Sequence, residues 1–391
     1  MIKRKELYYI PLIFLFLLPD FFQRFSVLYY SVLVFLSIVS LFTIYQYIKR
    51  PRYLFAFELV SSIYILIILS TIINNGVLPK FLLQSLVSIG FFCFIILRMK
   101  DEESKKVLLN DLIFVFETYV TINLIIMVIM PNGLYRITSY TGLGSNPAYL
   151  LGHRNNAVEY LIPLCGLVTI KNKCEGRIWS LNMLFVLVIS SLSAIYTWSA
   201  NEILCMTFIV LSLIVYGRKG LKLYSIRRFL ILSAILSSVL ILIGVLPFMQ
   251  YFIVSVLKKS ATLTGRTRIW TKALLSISEK IILGHGVQSS LYNYLHLSMI
   301  SSCHNYFLDF LYLGGVLTLV VIVVYVLYID NNMRKTDLSI SSLMSIFVGS
   351  YFILWIATPM HKENLFIMLS FFIILLIMGN SIDKQYSEVK K

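Results

Sequence analysis

Thr264-Gly265-Arg266-Thr267-Arg268-Ile269-Trp270 opens a polar stretch that passes Gly284-His285-Gly286 and closes on His304-Asn305, just before an apolar helix. It decides the reading of the fold because nearly everything around it is apolar. To either side, apolar runs of about 20 residues recur, each long enough to cross the roughly 30 Å hydrocarbon core of a bilayer. Of the 391 residues, 59% are hydrophobic and 13% are charged, and the mean hydropathy is +0.85. A soluble domain cannot hide that much apolar surface, so the composition specifies an all-α integral membrane protein. The quoted stretch is then the one long segment left outside the membrane.

Working outward, we expect a single polytopic domain over 1–391 with about twelve transmembrane helices. The predicted spans are 7–24, 27–48, 54–73, 81–98, 107–130, 157–170, 178–197, 202–216, 229–247, 305–328, 339–357 and 363–380. The first lacks a small-residue cleavage site and runs into Pro19-Asp20, so it reads as a retained helix. External loops are expected at 131–156 and 248–304. No internal repeat and no low-complexity tract stands out. The five cysteines are scattered and read as small buried hydrophobes, without a disulfide or zinc framework.

The net charge of +16 invites a nucleic-acid reading, which its distribution refutes. With both termini in the cytoplasm, alternate loops are basic: Lys3-Arg4-Lys5, Lys49-Arg50 with Arg52, Arg98 with Lys100, and so on to Lys390-Lys391. That is the positive-inside pattern, and such charges meet anionic lipid head groups. Two external loops break it. Residues 131–156 hold Arg136 and Arg154, and residues 248–304 hold Lys258, Lys259, Arg266, Arg268, Lys272 and Lys280. External cations oppose the topogenic bias, so a function is expected of them.

Within the large loop, 267–278 reads as an amphipathic helix with Ile269, Trp270, Ala273, Leu274 and Ile277 on one face. It is expected to lie on the outer interface with Trp270 as its anchor. Arg266 and Arg268 flank a glycine turn at its start. Guanidinium forks and free helix N–H groups suit a diphosphate; the competing reading is contact with lipid head groups. His304-Asn305, at the entry to a membrane helix, pairs a general base with a sugar-binding amide, or else is a capping pair. Asp309, one helical turn on, is placed to orient it. In the other external loop, Tyr140, Gly142, Gly144 and Pro147 read as irregular and lead into His153-Arg154-Asn155-Asn156. There Arg136, His153, Arg154 and Asn155 are candidates to join Arg266 around an anion, against a plain helix cap by Asn156. The intramembrane acids Glu58, Glu117, Glu159 and Asp309 form no relay. No metal-ligand spacing is visible, and neither metal nor cofactor is expected. Tyr135, Tyr140, Tyr292 and Tyr294 read as interface-belt aromatics before sugar-stacking ones.

The order Gly265-Arg266…Trp270, Ile282-Leu283-Gly284-His285-Gly286, and His304-Asn305…Leu313-Gly314-Gly315 resembles the O-antigen polymerase and ligase superfamily. The motif block covers 264–315, and the hydropathy layout covers the whole chain. The resemblance implies glycosyl transfer from undecaprenyl-pyrophosphate-linked oligosaccharides on the outer face of a bacterial cytoplasmic membrane, without a metal. It implies Arg266 on the pyrophosphate and His304 activating the acceptor hydroxyl, with a flippase and a chain-length regulator as candidate partners. The ligase pattern of an arginine after a serine is missing at Trp198-Ser199-Ala200-Asn201. The Gly152-His153-Arg154-Asn155-Asn156 loop looks more like capsule and exopolysaccharide polymerases. Polymerisation of repeat units is therefore the first expectation. A ligase is the alternative within the class, and a lipid-linked-oligosaccharide flippase is the alternative outside it.

Overall fold

The computed structural model describes residues 9–138, 145–219, 225–245, 266–298 and 302–389. Tyr140, Gly142, Gly144, Lys258, Lys259, Thr264 and Gly265 lie outside the described residues. Helices carry the fold, because a chain crossing hydrocarbon must satisfy every backbone N–H and C=O internally. They are α1 (Ile10–Phe16), α2 (Ser26–Lys49), α3 (Leu54–Ile73), α4 (Pro79–Arg98), α5 (Glu102–Ile129), α6 (Val158–Cys174), α7 (Leu181–Thr197), α8 (Ala200–Lys219), α9 (Ile226–Val245), α10 (Arg266–Glu279), α11 (Ser290–Leu297), α12 (Tyr306–Met333), α13 (Leu338–Ala357) and α14 (Leu365–Val389).

Among the described residues, nine helices are long and apolar enough to cross a membrane: α2–α5, α8, α9 and α12–α14. This makes the chain a multi-pass membrane protein. The expected spans 157–170 and 178–197 become α6 and α7, 17 residues each, or about 25 Å of helix. The expected span 7–24 is not one helix. α1 stops at Phe16, and a short 3-10 helix covers Asp20–Arg24. Pro19 supplies no N–H and pushes the residue before it out of the helical region. The Asp20 carboxylate accepts from Gln23 Nε2 at 3.0 Å and Asn156 Nδ2 at 2.9 Å.

Burial sorts the helices. The most apolar window of α14 is 94% buried and that of α13 is 83%, against 28% for α2 and 22% for α9. α6 is buried almost throughout. So α6, α13 and α14 form the centre, and α2 and α9 turn apolar faces to lipid.

α12 is interrupted at Gly315, whose φ is +65°. The break frees carbonyls, and the Gly284-His285-Gly286 loop satisfies them. His285 N–H donates to the Tyr312 carbonyl at 2.6 Å, Gly286 N–H donates to that of Leu313 at 3.0 Å, and Val316 N–H donates to that of Ile281 at 2.8 Å. A Cβ on Gly315 would stand 2.0 Å from the Ile282 oxygen, and one on Gly284 would stand 2.5 Å from the Tyr312 oxygen. Two glycine motifs thirty residues apart thus interlock, because only glycine allows the backbones so close. The loop also clips onto the end of α3: Val287 N–H donates to Thr71 Oγ1 at 2.9 Å, and Val77 N–H donates to the Val287 carbonyl at 2.8 Å.

Two expectations for the external loops are corrected. Pro147 does not sit in an irregular loop. The described residues there form an antiparallel sheet of β1 (Tyr135–Thr138), β2 (Ser145–Tyr149) and β3 (Gly152–His153), with Tyr135 opposite Ala148 and Ala148 opposite His153. Strands this short show no alternation that a sequence pattern can register. The amphipathic helix exists as α10, but Trp270 does not anchor it in lipid. Its indole is buried with Ile241, Ile269, Leu297, Leu308 and Tyr312, and Nε1–H donates to the Cys303 carbonyl at 3.2 Å. Leu274, expected on the buried face, is partly exposed. α10 is held by protein on α9, α11 and α12.

Candidate functional site

Three loops meet at the end of the bundle where α6, α12 and α14 begin: 150–157, 302–305 and 358–364. Buried side chains fasten them. Asp309, in the first turn of α12, accepts the Cys303 N–H at 2.6 Å and the Met360 N–H at 3.1 Å. Asn305 caps α12 by accepting the Leu308 N–H at 3.1 Å, while its Nδ2 donates to Ser237 Oγ at 2.5 Å and the Ile356 carbonyl at 2.8 Å. The Glu159 carboxylate accepts from Tyr306 Oη at 3.0 Å and Asn364 Nδ2 at 2.7 Å. Asn201 Nδ2 donates to Thr358 Oγ1 at 2.7 Å. Asp309, Asn305, Glu159 and Asn201 thus find partners as they enter the bundle, as burial requires.

This frame brings together Arg266, His153, His304 and a residue not singled out from sequence, His361. The charge of Arg266 acts on His304, together with His361 and His153. His304 holds a left-handed backbone, φ +54°. Burial first, then Arg266 and the two histidines, push its pKa down from 6.5 to about 3. His361 is pushed to about 4 by burial, with Glu363 acting upward and Lys362 downward. His153 is pushed to about 4 by burial, His361 and Arg154. Burial also lowers the pKa of Arg266 itself. The three imidazoles are therefore neutral at pH 7, each with one donor and one acceptor nitrogen.

Asn155 N–H donates to His153 Nδ1 at 3.3 Å, which leaves the proton on Nε2. His361 Nε2 makes no hydrogen bond among the described residues. A buried ring nitrogen so placed calls for a polar partner from a ligand or water. Chemically, the cluster offers a partly desolvated cation and three neutral imidazoles. An anion bound there would offset Arg266 and favour proton uptake by the rings. Among the described residues, no group of three or more His, Cys, Asp or Glu is arranged to hold a metal ion.

The remaining candidates sort differently. Arg154 is exposed at the rim, and its charge reaches His153. Arg136 is exposed on β1 with its guanidinium donating to Ser145 Oγ at 3.3 Å, apart from the imidazoles. Arg268 is exposed; two residues along a helix place it about 200° around the axis from Arg266. Trp270, Asn305 and Asp309, expected to bind substrate, are buried and committed to protein partners. They position the site. Asp309 does so through the backbone at Cys303 and Met360. Asn156 does not cap α6; its amide donates to Asp20.

His361-Lys362-Glu363-Asn364 is the run that sequence reasoning missed. Its signal was present: four polar residues between two apolar spans, on the same side as the two unusual loops. His285, by contrast, is structural. It is fully buried, with Nε2 at 2.7 Å from the Ser276 carbonyl, Nδ1 at 2.9 Å from Tyr292 Oη, and its ring stacked on Tyr312 at 4.9 Å. Compared with family models, with curated proteins and with solved structures, the chain finds no match.

Proposed function

We propose that this protein polymerises oligosaccharide repeat units carried on a polyprenyl pyrophosphate, at the outer face of a bacterial cytoplasmic membrane, by glycosyl transfer that needs no metal. One observation carries the reading: Arg266, at the start of an external helix, acts on His304 beside His153 and His361, at the end of an apolar bundle. A lipid-linked pyrophosphate delivers its charge at that level while its chain stays in hydrocarbon. The acceptor hydroxyl attacks the anomeric carbon of the donor. The bond from that carbon to the pyrophosphate oxygen breaks, and the lipid pyrophosphate leaves with the electron pair. Its negative charge grows as the bond breaks, so a fixed guanidinium stabilises the transition state more than the ground state. The hydroxyl proton passes to His304, whose basicity rises once the anion offsets Arg266. The activated donor supplies the driving force, and the protein chiefly aligns two substrates.

The test is deletion of the protein in its native cell, with surface glycan sized on a gel beside the lipid-linked intermediates. Single repeat units on the outer face, with long chains lost, are expected. Long chains left on the lipid carrier would mean a ligase. Repeat units retained on the inner face would mean a flippase and would overturn the reading.

A further inference from the structure

A second site lies at the opposite, basic end of the bundle. Between the C-terminal ends of α2 and α4 opens a cavity of about 570 Å³ lined by five cations: Lys49, Arg50, Arg52, Arg98 and Lys100. Among the described residues no carboxylate lines it. Three of the cations are held by contacts that leave the charge intact. Lys49 Nζ sits 4.3 Å from the centre of the Tyr45 ring, and the Arg98 guanidinium sits 4.4 Å from that of Tyr9. Arg52 donates to the Lys100 carbonyl at 3.0 Å, while its own carbonyl accepts from Tyr47 Oη at 2.6 Å. Asp101, beside Lys100 in sequence, is committed to the start of α5, where it accepts the Ser104 N–H at 2.9 Å. Among the described residues none of the five forms an ion pair.

Two ordinary causes place positive charge here, and neither accounts for the site. The positive-inside bias explains the sign of the charges; it does not explain a concavity into which three chain segments bring them. The two helix C-termini carry about half a negative charge each, roughly one against five. The cavity wall continues into lipid. Phe42 and Tyr45 line it and are 61% and 56% exposed, and Leu41 and Ile48 on the same rim helix are 57% and 63% exposed. A ligand with an anionic head and an apolar tail fits both halves, and basic pockets between membrane helices on the positive side take such head groups. The volume falls within the range of small-molecule sites.

We propose that this cavity binds the head group of a phospholipid bearing two phosphates, with its acyl chains along the exposed face of α2. The proposal is independent of the glycosyl-transfer reading. The test titrates the purified full-length protein, in neutral detergent, with cardiolipin and with phosphatidylcholine, and counts bound lipid by native mass spectrometry. Arg50→Gln with Lys100→Gln removes two cations whose side chains make no hydrogen bond or ion pair among the described residues, and leaves a polar side chain at each position. Arg228→Gln with Lys335→Gln removes the same charge elsewhere on the basic end. Cardiolipin should bind the parent protein at least about tenfold tighter than phosphatidylcholine, and the first variant should lose about tenfold or more, at roughly fivefold per cation. The second variant should match the parent, and inorganic pyrophosphate at equal concentration should displace no lipid. Equal loss in both variants would reduce the effect to bulk charge and overturn the site. Displacement by pyrophosphate would make it a soluble-anion site and overturn the lipid assignment.

Discussion

Asp309 accepts the backbone N–H of Met360 at 3.1 Å with one carboxylate oxygen, and the other oxygen accepts that of Cys303 at 2.6 Å. One buried side chain thereby fixes the distance between the loops that carry His304 and His361. An amide has a single acceptor oxygen, so Asp309→Asn should leave one of the two N–H groups facing an NH2. We expect a loss of about 1–3 kcal/mol in stability. Long-chain glycan should disappear in cells while the protein still inserts. A thermal midpoint equal to that of the parent would remove Asp309 from its positioning role.

His361→Ala should reduce polymer formation about 100-fold, as should His304→Ala, with normal membrane insertion in both. The readout is the glycan ladder beside the amount of inserted protein. A full ladder from His361→Ala would confine the chemistry to His304 and Arg266.

Arg266 and Arg268 should separate cleanly. Arg266→Ala should cost about 100-fold or more in turnover of a lipid-pyrophosphate donor. Arg266→Lys should recover little, because lysine offers no planar fork. Arg268→Ala, on the exposed side of α10, should change turnover by less than about twofold. Equal loss from both arginines would point to surface attraction of the anionic donor and away from a seat at Arg266.

Gly315→Ala should be poorly tolerated. The left-handed backbone alone is strained by about 1–3 kcal/mol for a residue with a Cβ, and that Cβ would meet the Ile282 oxygen at 2.0 Å. Gly176→Ala is the matched control: its φ is +76°, with nothing within 4 Å of the added carbon. Detergent-purified yield and melting temperature should fall more for Gly315→Ala than for the control. Equal falls would mean that the interlock with Gly284 adds nothing beyond backbone strain.

The histidines also set a pH dependence. His304, His361 and His153 titrate at about 3, 4 and 4 when folded, against 6.5 for a free side chain. Between those values these three side chains bind more protons in the unfolded chain than in the folded one, so their contribution to stability rises with pH across that window. The contribution of these three rings should be level above about 6.5 and fall steadily towards pH 4. His304→Asn keeps a residue that accepts the left-handed backbone and removes one titration, so its melting temperature should rise relative to that of the parent as pH is lowered over that range. Parallel pH profiles for the parent and the variant would show that His304 is not the neutral, buried ring described.

Much of this protein follows from its sequence alone. The segments that became α2–α5, α8, α9 and α12–α14 are legible because a membrane helix satisfies its own backbone, and its boundaries depend only on local apolar length. The amphipathic period placed α10 for the same local reason. Arg266, His153 and His304 stood out because they interrupt a hydrophobic pattern on the less basic side. The tertiary structure decided what depends on residues far apart in the chain. His361 joins the cluster because Asp309 holds the adjacent Met360, 51 residues further along the chain. Trp270 faces protein and not lipid because α9, α11 and α12 cover it. The first span breaks at Pro19-Asp20, where Asn156 meets the carboxylate across 136 residues of sequence. Hydropathy reports how much surface a segment must hide. Which neighbour hides it is settled only when distant backbone and side-chain polar groups find each other.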